Sequence, residues 1–158
     1  MSFFPFMVAG LLALTAVMWW RLDDPSSRPK RELCVPPYQI EWRKWEPDCF
    51  EKARLEGKVV WLNFKADWGL ISQVNEARVL GDPLVREKLT QHEVIMIKAD
   101  HTSRDPAIAA ELKRFGRFSI PTDILAPADP NAEWVILPEL LGPKVFLKGL
   151  AEVVAAGK

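Results

Sequence analysis

Among 158 residues there are only two cysteines, Cys34 and Cys49, and only two histidines, His92 and His101. Two lone histidines in different segments do not make a metal site, so His92 reads as a loop residue, His101 as a strand-end one, and no metal is expected. Charge of either sign is also missing in excess: 21 basic and 21 acidic side chains give a formal net charge of +0. No overall field draws the chain to nucleic acid, and no nucleic-acid partner is expected. There is no glycine-rich phosphate loop and no carboxylate pair placed for acid–base work. Asp67, Asp100 and Asp105 read as turn and cap residues, Glu76 as a helix-surface charge, and Glu139 as part of a strand-to-helix corner. No cofactor is implied.

What is present begins with apolar content of 49%, enough at this length for one packed core plus an appendage. Phe3 to Trp20 is an uncharged run of about 18 residues, near the lower limit for a membrane-spanning helix. Trp19 and Trp20 suit a membrane interface, and Met1-Ser2 supplies no basic leader for a cleaved signal peptide. Residues 1–22 are therefore expected to be a single-pass membrane anchor. Pro25, Ser26, Ser27, Pro29, Pro36 and Pro37 make residues 23–40 a tether without apolar period, leaving 41–158 as one folded domain. Arg21, Arg28, Lys30 and Arg31 follow the anchor and none precedes it, which by the positive-inside rule puts the domain in the cytoplasm.

Within the domain, Glu46 to Gly57 has proline near its first turn and glycine at its end, the punctuation of a helix. Val59 to Phe64 and Val94 to Ala99 are apolar, strand-length and β-branched or aromatic. Ser72 to Val79 and a run from Asp82-Pro83 to Leu89 read as helices. Asp105 and Pro106 open another with Ile108, Ala109, Leu112 and Phe115 inward and Gly116 at its end. Strands are expected at Asp123 to Leu125 and Trp134 to Leu137, and Gly142-Pro143 opens a last helix burying Phe146, Leu147, Leu150, Val153 and Val154. Strand alternating with helix means an α/β fold with a right-handed parallel crossover.

Three motifs carry a resemblance: Ala66-Asp67-Trp68, followed after four residues by Gln73-Val74-Asn75-Glu76; Phe115-Gly116-Arg117-Phe118-Ser119-Ile120-Pro121; and Ile136-Leu137-Pro138-Glu139-Leu140-Leu141. From about Glu41 onward the chain resembles the C-terminal thioredoxin-like domain of DsbD-type thiol:disulfide interchange proteins. The resemblance implies a thioredoxin-like fold, a central mixed sheet flanked by helices. It also implies a cis bond before Pro121, and a peptide groove formed by Trp68, Gly69, Leu70, Ile120 and Pro121. By the same comparison Gly69 stands where the nucleophilic cysteine would be, Ser72 where the resolving one would be, and Asn63 where a buried aspartate would relay a proton. The bland reading of Asn63 is a hydrogen-bonded core amide.

Neither glycine nor serine yields a thiolate, so dithiol exchange at positions 69 and 72 is excluded and no catalytic residue is assigned. Two expectations compete. The first is a redox-inactive, membrane-anchored protein-binding module, an accessory subunit of a membrane complex or an envelope assembly factor. The second is an oxidoreductase or cytochrome c biogenesis factor working through Cys34 and Cys49 or an external dithiol partner. Cys34 and Cys49 are able to pair in an oxidising compartment; otherwise Cys49 is a small core hydrophobe and Cys34 a free thiol. The resemblance places the domain on the periplasmic side of an inner membrane, against the charge bias.

Overall fold

The computed structural model describes residues 41–157. The expected anchor, the tether and Cys34 lie outside them. Among the described residues no helix is long and apolar enough to cross a membrane.

The chain enters through a short strand, β1 (Trp42–Lys44), that the sequence pattern does not announce. It pairs in parallel with a later strand at Met96 to Lys98, so tertiary pairing rather than local propensity makes it a strand. Helix α1 (Cys49–Leu55) follows, shorter than the run from Glu46 to Gly57 because Asp48 is left-handed at φ 64° and Gly57 turns the chain out at φ 69°. Then come β2 (Val60–Lys65), α2 (Leu70–Gly81), α3 (Pro83–Gln91) and β3 (Ile95–Asp100). The second half is α4 (Pro106–Arg114), β4 (Thr122–Ala126), β5 (Val135–Ile136) and α5 (Pro143–Ala156). The caps are local chemistry: Asp82 Oδ1 accepts from the N–H of Leu84 at 2.8 Å, Asp105 Oδ1 accepts from that of Ala107 at 2.8 Å, and a proline follows each aspartate.

The five strands lie in the order β1-β3-β2-β4-β5. The first three run parallel, β4 runs antiparallel to β2, and β5 antiparallel to β4. This is the mixed sheet that the resemblance implies. Side chains alternate across it. Val60, Leu62 and Phe64 pack with Phe50 and Ala53 of α1 and Ile108 and Leu112 of α4. Trp61 packs on the other face with Val79, Leu89, Phe146 and Leu150. Helix α5 comes close to the sheet at Gly149, where a Cβ would meet Leu137 Cδ2 at 2.6 Å. The edge strand is shorter than Trp134 to Leu137, and Trp134, still 37% exposed, packs edge-on against Phe115 instead.

Candidate functional site

At the end of β2 the chain leaves the sheet through buried Ala66, turns outward at Asp67 and Trp68, and enters α2 behind Gly69. Gly69 N donates to Ala66 O at 3.0 Å. Gly69 offers no side-chain cap and the first turn carries no acidic residue, so the positive end of the helix dipole is not neutralised from within. A neighbouring loop straps this turn in place. Asp67 N donates to Thr102 Oγ1 at 2.9 Å and Trp68 Nε1 to Thr102 O at 3.3 Å. Thr102 in turn donates its N–H, at 3.0 Å, and its hydroxyl to Asp100 Oδ1. Burial pushes the Asp100 carboxyl up, but the two Thr102 hydrogen bonds, with Lys65 and Lys98 nearby, outweigh it and hold the group below its ordinary value.

Positions 69 and 72 face one another. A Cβ built on Gly69 lies 3.7 Å from Ser72 Cβ and 3.0 Å from Ser72 Oγ. Disulfides need a Cβ separation of about 3.5–4.5 Å, so this backbone holds two positions at bridging distance. Neither residue carries sulfur. Ser72 is 2% exposed, and its hydroxyl oxygen has no hydrogen-bond partner among the described residues.

The bond between Ile120 and Pro121 is cis, as the sequence context implies. Trp68, His101, Arg104, Leu112, Phe118 and Ile120 line an open groove of about 320 Å³ beside it. Of the expected groove residues, Trp68 and Ile120 are in that lining. Gly69 and Pro121 adjoin them in the chain, Pro121 buried, and Leu70 is 72% exposed and outside the lining. Phe118, which sequence reasoning left within its motif without a role, is 80% exposed. The motif residue Asn75 is buried: its Nδ2 donates to Glu139 O at 2.8 Å and its Oδ1 accepts from Leu141 N at 3.0 Å, pinning α2 to the strand-to-helix corner.

On the Trp61 face lies a polar group that the sequence reading missed. Asn63 pairs in register with Asp123 on β4 and with Lys98 on β3. Trp61 Nε1 and Asn63 Nδ2 both donate to Asp123 Oδ1, at 2.8 and 2.7 Å. Asn63 is thus a hydrogen-bonded core amide, as its bland reading had it, and its partner is the buried acid. Burial pushes the Asp123 carboxyl up to about 6, opposed by the Asn63 and Trp61 hydrogen bonds and aided by the charge of Glu76. Glu76 is not a free surface charge; Lys98 Nζ meets its Oε1 at 2.7 Å. The signal for Asp123 was a lone carboxylate inside an expected buried strand, which must find partners or neutralise.

Cys49 is half-buried on α1, and Glu46 N donates to its sulfur at 3.4 Å. Burial, opposed by that N–H, pushes its thiol up, away from the thiolate needed for exchange. His92 ends α3 and His101 sits in the groove wall, and no cluster of three metal-binding side chains occurs among the described residues.

Comparison with known proteins places this geometry. Residues 41–126 match the family model described as thioredoxin-like. Over 101 residues the chain is 36% identical to thiol:disulfide interchange protein DsbD 1 of Pseudomonas aeruginosa, covering 64% of this chain and 16% of that protein. The chain therefore spans only a small part of the length of this curated relative. The oxidised C-terminal domain of Neisseria meningitidis DsbD superposes with a TM-score of 0.58 at 19% identity, over 72% of this chain and 99% of that one. A thioredoxin from Thermus thermophilus gives 0.56 at 21% identity, over 75% and 91%. At these identities the two structures establish the fold.

Proposed function

The chain belongs to the thioredoxin-like family, and from that premise we propose that it is a redox-inactive, membrane-tethered member that docks a protein partner through the groove beside its cis proline. The observation that carries the proposal is the facing pair Gly69 and Ser72, at disulfide spacing with no sulfur on either. In the likeness to DsbD-type domains these are the two cysteine positions, and Asn63 is the relay aspartate's. What is left beside the helix tip is a candidate recognition surface: exposed Trp68 and Phe118 next to the loop that carries the cis bond before Pro121. Such a surface binds an extended peptide without bond exchange. The run from Phe3 to Trp20 supplies the anchor, and the DsbD likeness supports a periplasmic side and a role as accessory subunit of a membrane complex or envelope assembly pathway.

The test has two parts. The full chain in nonionic detergent is expected to give no turnover in an insulin-reduction assay with an external dithiol. It is also expected to retain a defined membrane or envelope protein that Trp68→Ala and Phe118→Ala lose. Turnover abolished by Cys34→Ala would instead establish the oxidoreductase reading. An identical set of retained proteins for wild type and both variants would remove the groove from the account.

A further inference from the structure

The groove has a chemical bias that fold and family do not dictate, and it bears on what kind of segment docks there. Its lining includes the apolar side chains of Trp68, Leu112, Phe118 and Ile120 together with the cations Arg104 and Lys113, and no carboxylate takes part in it. Both cations are exposed, and among the described residues neither has a carboxylate within ion-pair distance. Acids near them in sequence, and Asp67 beside Trp68, are engaged elsewhere. Asp105 caps α4 through Ala107 N, Glu111 pairs with Arg114, Asp67 with Lys65, and Asp100 accepts from Thr102. A molecule of formal net charge +0 thus keeps a local positive field over one apolar groove. Arg104 is also held at φ 57°, a region where glycine costs less, so the bulky cation is kept at a position that local backbone preference does not favour.

We propose that the groove selects an extended peptide segment in which an Asp or Glu side chain adjoins a bulky apolar one, the apolar side chain against Trp68 and Phe118 and the carboxylate between Arg104 and Lys113. This rests on the reading of the groove as a protein-docking surface and names its occupant. An acid at that place gains attraction to two cations at an apolar, partly desolvated surface, whereas a lysine there is repelled.

The experiment is an oriented library of end-blocked heptapeptides, with a fixed central phenylalanine and all other positions degenerate, passed over the immobilised full chain in nonionic detergent. Asp and Glu are expected to be enriched about fivefold at one position flanking the phenylalanine, an effect that weakens as salt is raised. The enrichment should vanish in Arg104→Gln/Lys113→Gln and turn toward Lys and Arg in Arg104→Glu/Lys113→Glu. That reversal is an outcome a misfolded variant does not give. Peptides retained in a Phe118-dependent way with no acidic enrichment overturn the selectivity and leave the docking reading in place. Retention no greater than that of Phe118→Ala overturns both. Binding of phosphatidylglycerol vesicles through Arg104 and Lys113, without acidic enrichment, assigns the cations to a lipid surface and also overturns the proposal.

Discussion

Asp123 sits 2% exposed on β4 with its carboxyl pushed up to about 6, and this makes it a measurable liability. The unfolded group titrates near 3.8, so the folded state holds the proton more tightly. The contribution of Asp123 to stability is then fully present below about pH 4 and is lost as pH rises through about 6, a difference of roughly 3 kcal/mol. Asp123→Asn keeps an acceptor for Trp61 and Asn63 but removes the titration. The gap in unfolding free energy between variant and wild type, from urea titrations at several pH values, is expected to grow in the variant's favour between about pH 4 and pH 7. A constant gap would mean that the carboxyl is not perturbed. Arg54 shows the same scale with opposite sign. It is 5% exposed, donates to the carbonyls of Pro130 and Ala132, and lies over the Trp134 ring at 5.6 Å. Arg54→Ala should lower stability by roughly 2–4 kcal/mol in thermal unfolding, and Arg54→Lys should recover little, because an ammonium has no planar face to lay over the Trp134 ring and is more strongly hydrated, hence costlier to bury.

At the scale of the element, α2 does most to define the site. Its N-terminus is aimed by two attachments far apart in sequence, the Thr102 strap at the turn before it and the Asn75 bonds to the corner at Glu139 and Leu141. Neither attachment involves position 69 or 72, so the Cβ spacing of those positions does not depend on which side chains they carry. Gly69→Cys/Ser72→Cys is expected to form an intramolecular disulfide on air oxidation, seen as loss of both new thiols in titration with Ellman's reagent against a Cys34→Ser/Cys49→Ser background. The oxidised variant should accept electrons from dithiothreitol, where the parent chain shows no such couple. Persistent free thiols under oxidation would show that the two Cβ positions do not meet in solution. The same scale explains which elements the sequence makes plain. Helices α3 and α4 carry their own Asp-Pro openings, and β2 and β3 are apolar throughout. Strand β1 has no such local signature, and exists because Arg43 and its neighbours meet the free edge of β3.

For the whole molecule, the division into an apolar N-terminal run, a proline-rich tether and a folded domain leads to a prediction of location. The full chain is expected to sediment with membranes and to resist extraction by high salt and alkaline carbonate, whereas a chain lacking residues 1–22 should be released to the soluble fraction. Release of the full chain by salt alone would replace the spanning helix with a peripheral attachment. Much of the domain was legible in advance because its strands and helices are bounded by prolines, glycines and aspartates that act over a few residues. That Gly69 and Ser72 carry no sulfur was legible too, whereas their Cβ spacing of 3.7 Å was not. The pairing of Asn63 with Asp123 and the meeting of Trp68 with Arg104 and Lys113 in one groove were not, because each joins residues about 35 to 60 positions apart in sequence that only the sheet and its loops bring together.

The sequence by itself determined what chemistry is unavailable here: thiolate exchange at the head of α2 needs atoms that Gly69 and Ser72 do not have, and no folding supplies them. Tertiary structure alone decided where the remaining charge goes. It set Asp123 across the ladder from Asn63, with Trp61 as second donor, and left Arg104 and Lys113 without carboxylates around Trp68 and Phe118. The reason is range: a missing atom is a local fact, whereas burial and the balance of charge at a surface depend on distances fixed only when the chain closes on itself.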